Sequence, residues 1–185
     1  MRAIGFRVKS GHAIAVVVDG PAGSPTAVAR RVVDLCDPKV KETKQPYHSS
    51  RGEAEEDQKK IAARTALIEQ AVAQSVKTLL AEVPGVARAS LVVGSVIDPA
   101  KVGNQHVRAH ANEGRLFRTV LERALVARGV ACSVVVDKHL AEAARKRLRR
   151  TDVEIRKTMA AFGASLGGPW RTEEKAAATA AWMAL

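Results

Sequence analysis

The sequence is poor in cysteine, and its two cysteines argue against two classes of small protein. Cys36 and Cys132 stand alone, outside any CxxC motif and outside any Cys/His cluster. A disulfide scaffold would need a larger paired set, and a zinc finger would need clustered ligands. Unpaired cysteines are instead typical of a reducing compartment, so the sequence predicts a cytoplasmic location.

Aromatic residues are equally scarce, with three Phe, two Trp and one Tyr in 185 residues. Sheets that bind single-stranded nucleic acid stack bases on several exposed aromatic side chains. This scarcity argues against an RNA-recognition motif or an oligonucleotide-binding barrel. If the chain binds nucleic acid, we expect contacts with phosphates to dominate.

Long apolar runs and common nucleotide or nucleophile motifs are also missing. The longest apolar run, AIAVVV at 13–18, has six residues, whereas a bilayer span needs about 20. We therefore expect no membrane-spanning helix and no membrane partner, and the N-terminus shows no signal-type segment. The chain has no GxGxxG, GxxxxGK[ST] or GxSxG motif, so we expect no dinucleotide cofactor or P-loop.

What the sequence does have is an excess of positive charge. Thirty Lys and Arg face nineteen Asp and Glu, which gives a net charge of +11 and a pI near 10.2. Residues 138–157 alone contain eight basic and three acidic residues. Such a balance attracts polyanions, so we predict a phosphate-bearing partner, with nucleic acid as the first choice. The alternative is a solvated helical face with intrahelical pairs such as Glu142–Lys146.

The hydrophobic pattern predicts an α/β domain that covers residues 1–185. Strand patterns at 2–9, 12–20 and 26–35 form a meander, and apolar strands follow at 87–97 and 130–136, both expected to be buried. Helical patterns separate the later strands, the first preceded by a possible capping box at 50–53, and residues 138–185 are helical. The order β-β-β-α-β-α-β-α predicts a five-stranded mixed sheet with helices on both faces.

One long polar loop interrupts this regular order. Residues 36–52 contain Tyr47 and His48 after Pro46 and form no periodic pattern. A loop of this length in a compact domain is often functional or mobile.

The opening AIGFRVKSGHAIAVVVDG and the closing EEKAAATAAWMAL resemble the first hairpin and the last helix of the ribonuclease H-like fold, in its Holliday-junction-resolvase branch. The resemblance implies a site with two Mg²⁺ ions. In these nucleases the ions are held by carboxylates on the first strand, after the fourth strand and on the last helix. The corresponding positions fall near Phe6-Arg7-Val8, at Gly94-Ser95, and at Glu173 and Glu174. Only the last position offers acids, so we expect a domain that lacks the Mg²⁺-dependent nuclease centre.

Ligands of open α/β sheets bind outside the carboxyl ends of the strands. Arg7 and Lys9 end the first strand, and the segment around Arg115 and Arg118 begins a helix, where anions are favoured. We expect these four residues and Lys175 to form an anion site, with Trp170 either over the ligand or in the core.

A sharper possibility is a metal site. His106, His110 and Glu113 are spaced to share one helical face, and two imidazoles with a carboxylate suit Zn²⁺ or Fe²⁺. Asp98 or Asp137 would complete the site.

Three hypotheses remain open at this point. The first is a non-nuclease domain that binds nucleic acid or another phosphate-bearing ligand without a cofactor. The second is a hydrolase or phosphotransferase with His110 as acid/base and Glu113 as its partner, with or without a divalent metal. The third is a structural protein-binding module. The sequence does not predict an oligomeric state.

Overall fold

Strands and helices follow one another in the predicted order within residues 1–49 and 52–185, which the computed structural model describes. The last helical region divides into three helices. The elements are β1 (Arg2–Lys9), β2 (His12–Asp19), β3 (Thr26–Asp34), α1 (Gln58–Glu82), β4 (Val86–Val93), α2 (Gln105–Val126), β5 (Ala131–Val136), α3 (Leu140–Leu148), α4 (Asp152–Leu166) and α5 (Thr172–Ala184).

The five strands form one mixed sheet in the spatial order β3-β2-β1-β4-β5. β1, β2 and β3 pair antiparallel as a meander, and Gly11 allows the tight turn between β1 and β2 through its φ of 76°. β4 pairs parallel with β1, and β5 pairs parallel with β4. The prediction of a mixed five-stranded sheet is confirmed.

The two faces of the sheet are covered by different helices. Ile4 and Phe6 of β1 belong to the core formed with α1 and α2. Gly5, between them, faces α5, and a Cβ at this position would overlap the carbonyl oxygen of Ala177. The helix α5 therefore packs directly against the backbone of β1. Helices lie on both faces, as predicted.

Two apolar strands are shorter or more exposed than the sequence indicated. β4 ends at Val93, and Val96 and Ile97 beyond it are exposed. The prediction that β5 is a buried strand is wrong, because Ala131, Ser133 and Val134 are exposed. β5 pairs only with β4 and lies at the edge of the sheet, where a valine-rich strand is covered incompletely.

The helix α1 begins later than the sequence indicated. Of the possible capping box at 50–53, Ser50 and Arg51 lie outside the described residues. α1 begins at Gln58, where the Asp57 side chain accepts hydrogen bonds from the backbone N–H groups of Lys59 and Lys60. None of the helices in the described part of the chain has the length and apolar character needed to cross a membrane.

Candidate functional site

Three histidines meet where the polar loop passes the beginning of α2. His106 and His110 lie one turn apart on one face of α2, and His48 comes from the loop before α1. The centroids of the three rings lie 4.5–5.1 Å apart. One ligand nitrogen of each ring lies within 4.8 Å of those of the other two. The sequence indicated His106 and His110, but not His48.

Glu113 faces two of these rings from the next turn of α2. Its Oε1 lies 2.8 Å from Nδ1 of His48, and both side chains are buried. Its Oε2 lies 3.5 Å from Nδ1 of His110. A ring that donates its Nδ1–H to a carboxylate keeps Nε2 as the lone-pair nitrogen. In His48 that Nε2 is buried without a hydrogen-bond partner.

Arg64 of α1 holds the loop segment that carries His48. Its guanidinium donates hydrogen bonds to the carbonyl oxygens of Pro46, at 3.0 Å, and His48, at 3.1 Å. The other terminal nitrogen pairs with Glu55 at 3.1 Å. The Glu55 backbone N–H in turn donates to the carbonyl oxygen of Tyr47. His48 is therefore fixed by a bonded loop rather than by a regular element.

The histidine cluster is buried on one side and open on the other. The His110 side chain is 51% exposed, while those of His48 and Glu113 are 4% and 1% exposed. A cleft of about 770 Å³ runs between residues 52–56 and the beginning of α2, and His106 is part of its wall. Glu53, Glu55 and Glu56 also line this cleft. A small ion can thus reach the cluster past side chains that favour positive charge.

The cluster offers two kinds of chemistry. His110 lies 3.5 Å from Glu113, close enough for the carboxylate to orient the ring, and their role as an acid/base pair stays a prediction. The three imidazoles also form a set of neutral nitrogen ligands of the kind that divalent transition metals prefer.

A second group of charged residues lies on the opposite face of the sheet, under α5. Arg7 is nearly buried, and its guanidinium pairs with Asp137 at 2.8 Å and approaches the carbonyl oxygen of Val92. Lys9 pairs with Glu173 at 3.6 Å. The pKa of Glu173 is lowered by a hydrogen bond to its own backbone N–H and by the positive charges of Lys9 and Arg7.

The predicted anion site is therefore divided between two surfaces. Arg7 and Lys9 face α5, and Lys175 is exposed in the first turn of that helix. Arg115 and Arg118 lie on α2, which packs on the other face. Asp137, considered for the metal site, pairs with Arg7 and does not join the histidines.

Trp170 and Glu174 pack into the helical layer on the α5 face. The indole of Trp170 lies so close to Gly163 of α4 that a Cβ there would overlap it. Glu174 is buried, accepts a hydrogen bond from the Arg171 backbone N–H and lies 3.6 Å from Arg30. These contacts hold α4 and α5 in place.

The cysteines carry no sign of activation. Burial raises the pKa of the Cys36 thiol, and it raises that of Cys132 to about 11. Both are free thiols, and at neutral pH they stay protonated, which is the weakly nucleophilic form.

The fold resembles solved structures of RuvC. It superposes on Thermus thermophilus RuvC with a TM-score of 0.55 and 11% sequence identity, covering 99% of this chain and 92% of that chain. A structure of T. thermophilus RuvC in complex with a Holliday junction substrate gives a TM-score of 0.54 and 12% identity, over 99% and 91% of the two chains. The predicted ribonuclease H-like fold is confirmed. No protein-family model matches the sequence, and no curated protein matches it.

Proposed function

We propose that this chain is a ribonuclease H-like domain without a two-metal nuclease centre, and that it binds nucleic acid through the phosphates. The observation that carries the proposal is the position of Arg7. Its guanidinium lies on β1 where the resemblance to the nucleases places a carboxylate, and it is nearly buried. A fixed cation at this position repels the divalent ions that nuclease chemistry needs.

The acids near this edge already have partners. Asp137 pairs with Arg7, and Glu173 pairs with Lys9. Glu174 is buried in its contacts with Arg171 and Arg30. Each of these carboxylates therefore neutralises a cation or caps a helix, which supports a domain that binds phosphates without cleaving them.

Two observations support nucleic acid as the ligand. The fold is shared with T. thermophilus RuvC, whose structure is known with a Holliday junction substrate. This chain also carries a net charge of +11. Part of that charge forms what we call the basic α3–α4 surface, whose exposed members have no carboxylate partner within the described residues: Lys146, Arg147, Arg149, Arg156 and Lys157. The two free cysteines support a cytoplasmic location.

A salt titration with labelled four-way junction and linear duplex tests this proposal. Counterion release makes log affinity fall with log salt at about −0.9 per neutralised phosphate. The double variant Arg156→Ala/Lys157→Ala is expected to weaken binding and flatten the slope by about two units, one for each phosphate contact. Undetectable binding at about 50 mM salt, where phosphate contacts are strong, would overturn the proposal.

A matched control removes the same charge elsewhere. Lys59 and Lys77 are exposed on α1, on the other side of the sheet. The double variant Lys59→Ala/Lys77→Ala is expected to leave the slope unchanged. Equal losses in both double variants would mean that net charge alone, rather than the basic α3–α4 surface, attracts the DNA.

A further inference from the structure

We propose that His48, His106 and His110 bind one divalent transition-metal ion of the zinc class, and that Glu113 is a positioning residue for this site. The proposal rests on the histidine cluster alone and is independent of nucleic-acid binding. The sequence suggested a metal on His106, His110 and Glu113; the structure replaces the carboxylate ligand with a third imidazole and moves Glu113 behind the rings.

The spacing of the nitrogens fits a tetrahedral ion. Nε2 of His106 lies 3.2 Å from Nε2 of His110. Two nitrogens bound to Zn²⁺ at about 2.0–2.1 Å in tetrahedral geometry lie about 3.3 Å apart. The third ligand nitrogen, from His48, is within 4.8 Å of both. His106 and His110 are exposed side chains on the open side of the cluster, so their rings can rotate to close the remaining distance.

Glu113 selects the nitrogens that remain for the metal. Its two carboxylate oxygens face Nδ1 of His48 and Nδ1 of His110. Metal-bound histidines commonly donate their second ring N–H to a carboxylate, which fixes the tautomer and the ring orientation. In the structure Glu113 does this for His48, whose Nε2 is left as an electron-pair donor, and its free Oε2, 3.5 Å from Nδ1 of His110, can do the same for that ring once it turns to bind the ion.

The buried nitrogen of His48 is the second, independent indication of a ligand. A buried polar atom without a partner is destabilising because it has lost its water without gaining another contact, and His48 Nε2 is such an atom in a side chain that is 4% exposed. A cation bound at the cluster would supply the missing partner. Glu53 and Glu56, the acids of the neighbouring cleft other than Glu55, which pairs with Arg64, favour a cation over an anion at this place.

The ligand set also indicates the kind of metal. Imidazole nitrogens suit Zn²⁺ and its first-row neighbours, whereas Mg²⁺ prefers oxygen ligands. Three protein ligands leave a fourth position, and the cluster is open towards solvent on the side of His110. An ion held in this way can bind a water molecule or an anionic group of a ligand and act as a Lewis acid.

Metal binding by the purified chain, stripped with a chelator, provides the test. Calorimetric titration with Zn²⁺ is expected to give one ion per chain, and Co²⁺ is expected to give the intense visible absorption of a tetrahedral site. Mg²⁺ is expected to give neither signal. Loss of a carboxylate that supports a metal ligand lowers metal affinity by about 10- to 100-fold. We therefore expect Glu113→Gln to lower the Zn²⁺ affinity by an amount in this range. His106→Ala and His110→Ala are expected to lose more Zn²⁺ affinity than Glu113→Gln, because each removes a ligand of the ion itself.

The chain carries its own matched controls. Of its five histidines, His12 and His139 are exposed and lie outside the cluster. His12→Ala and His139→Ala are expected to leave Zn²⁺ affinity and the Co²⁺ spectrum unchanged. His48→Ala removes a buried side chain, so its fold is checked by circular dichroism, and the exposed His106 and His110 variants keep the test decisive if it unfolds.

Two results would overturn the proposal. One is the absence of saturable Zn²⁺ binding, which would mean that the cluster is only a hydrogen-bonded network. The other is binding that the controls weaken as much as the cluster variants do, which would mean that Zn²⁺ binds scattered surface histidines. Failure of DNA binding in the salt titration would leave this result untouched, so the two proposals stand or fall separately.

Discussion

Nδ1 of His48 lies 2.8 Å from Oε1 of Glu113, across 65 residues of sequence. This contact joins the polar loop before α1 to the middle of α2, and both side chains are buried. Because a loop has no periodic hydrogen bonds of its own, a buried polar contact of this kind fixes where its side chains lie. Together with the Arg64 hydrogen bonds to the loop, the contact therefore positions His48, and it sets the tautomer of its ring.

Removing Glu113 is expected to destabilise the metal-free protein. Glu113→Ala leaves Nδ1 of His48 buried without a partner, so the free energy of unfolding should fall by about 1–3 kcal/mol. Urea denaturation in the presence of a chelator measures the change. Glu122→Ala is the control, because Glu122 lies on the same helix without a hydrogen bond or ion pair in the described residues. An equal loss in both variants would show that the His48 contact contributes nothing.

Arg64→Ala is expected to weaken Zn²⁺ binding although Arg64 cannot be a ligand. Its hydrogen bonds to Pro46 and His48 hold the loop, and without them His48 must be ordered again when the ion binds. We expect a loss of about 10-fold or more, in line with other supporting residues. Lys60→Ala, which removes an exposed cation one turn away on α1, should change nothing. Unchanged affinity in Arg64→Ala would show that the loop is positioned by other contacts.

Two glycine substitutions are expected to change the stability of the fold in opposite directions. Gly5→Ala places a Cβ against the backbone of Ala177 in α5, which neither element can avoid, so a loss of about 1–3 kcal/mol or more is expected. Gly114 is helical and has open space around it, so Gly114→Ala should stabilise the chain by about 0.5–1 kcal/mol. Thermal unfolding of both variants measures this. A tolerated Gly5→Ala would mean that α5 does not lie against β1.

We expect no Mg²⁺-dependent cleavage of a four-way junction or of an RNA–DNA hybrid. The guanidinium of Arg7 lies at the position of a nuclease carboxylate, and Asp137 and Glu173 are each paired with a cation. The assay is gel electrophoresis of labelled substrates with Mg²⁺ in excess. Cleavage that Asp137→Asn or Glu173→Gln abolishes would contradict the expectation and place a nuclease centre at this edge.

Alkylation of Cys132 is expected to require strongly alkaline pH. Burial raises its pKa to about 11, and only the thiolate reacts. In the folded chain the alkylation rate should keep rising with pH up to about 11. In urea, where the thiol is exposed, the alkylation rate should level off above the ordinary cysteine pKa of about 8.5. The pKa of Cys132 is higher in the folded chain than in the unfolded chain. The protonated thiol therefore favours folding below about pH 8.5, and this contribution to stability is lost as the pH rises through the pKa of the folded chain. Rapid labelling of folded protein at neutral pH would show that Cys132 is accessible as a thiolate.

Sequence periodicity predicted most of the fold, because each element has a one-sided pattern. The apolar positions of α1 are buried, and the alternation in β1 separates Ile4 and Phe6 from Gly5 and Arg7. The same helical periodicity places His106 and His110 on one face of α2, where the structure has them. Periodicity could not show that β5 is an edge strand, since position within a sheet depends on distant pairing.

The missing part of the candidate site comes from contacts that no local pattern records. His48 lies in a loop without periodicity, and its partner Glu113 is far away in sequence. Arg115 and Arg118 were expected beside Arg7, but the choice of face on which α2 packs depends on the whole core. Asp137 follows its strand as expected, yet its side chain pairs with a cation on another strand rather than with the histidines.

The ion pair between Arg7 and Asp137 also braces the sheet. β1 and β5 are not neighbours, because β4 lies between them, so the Arg7 side chain reaches across a strand to the residue that follows β5. The exposed edge strand is thus tied to the centre of the sheet at its carboxyl end. Fraying of β5 from that end would leave a nearly buried guanidinium without its carboxylate, so local opening of the edge costs more than the backbone hydrogen bonds of one strand.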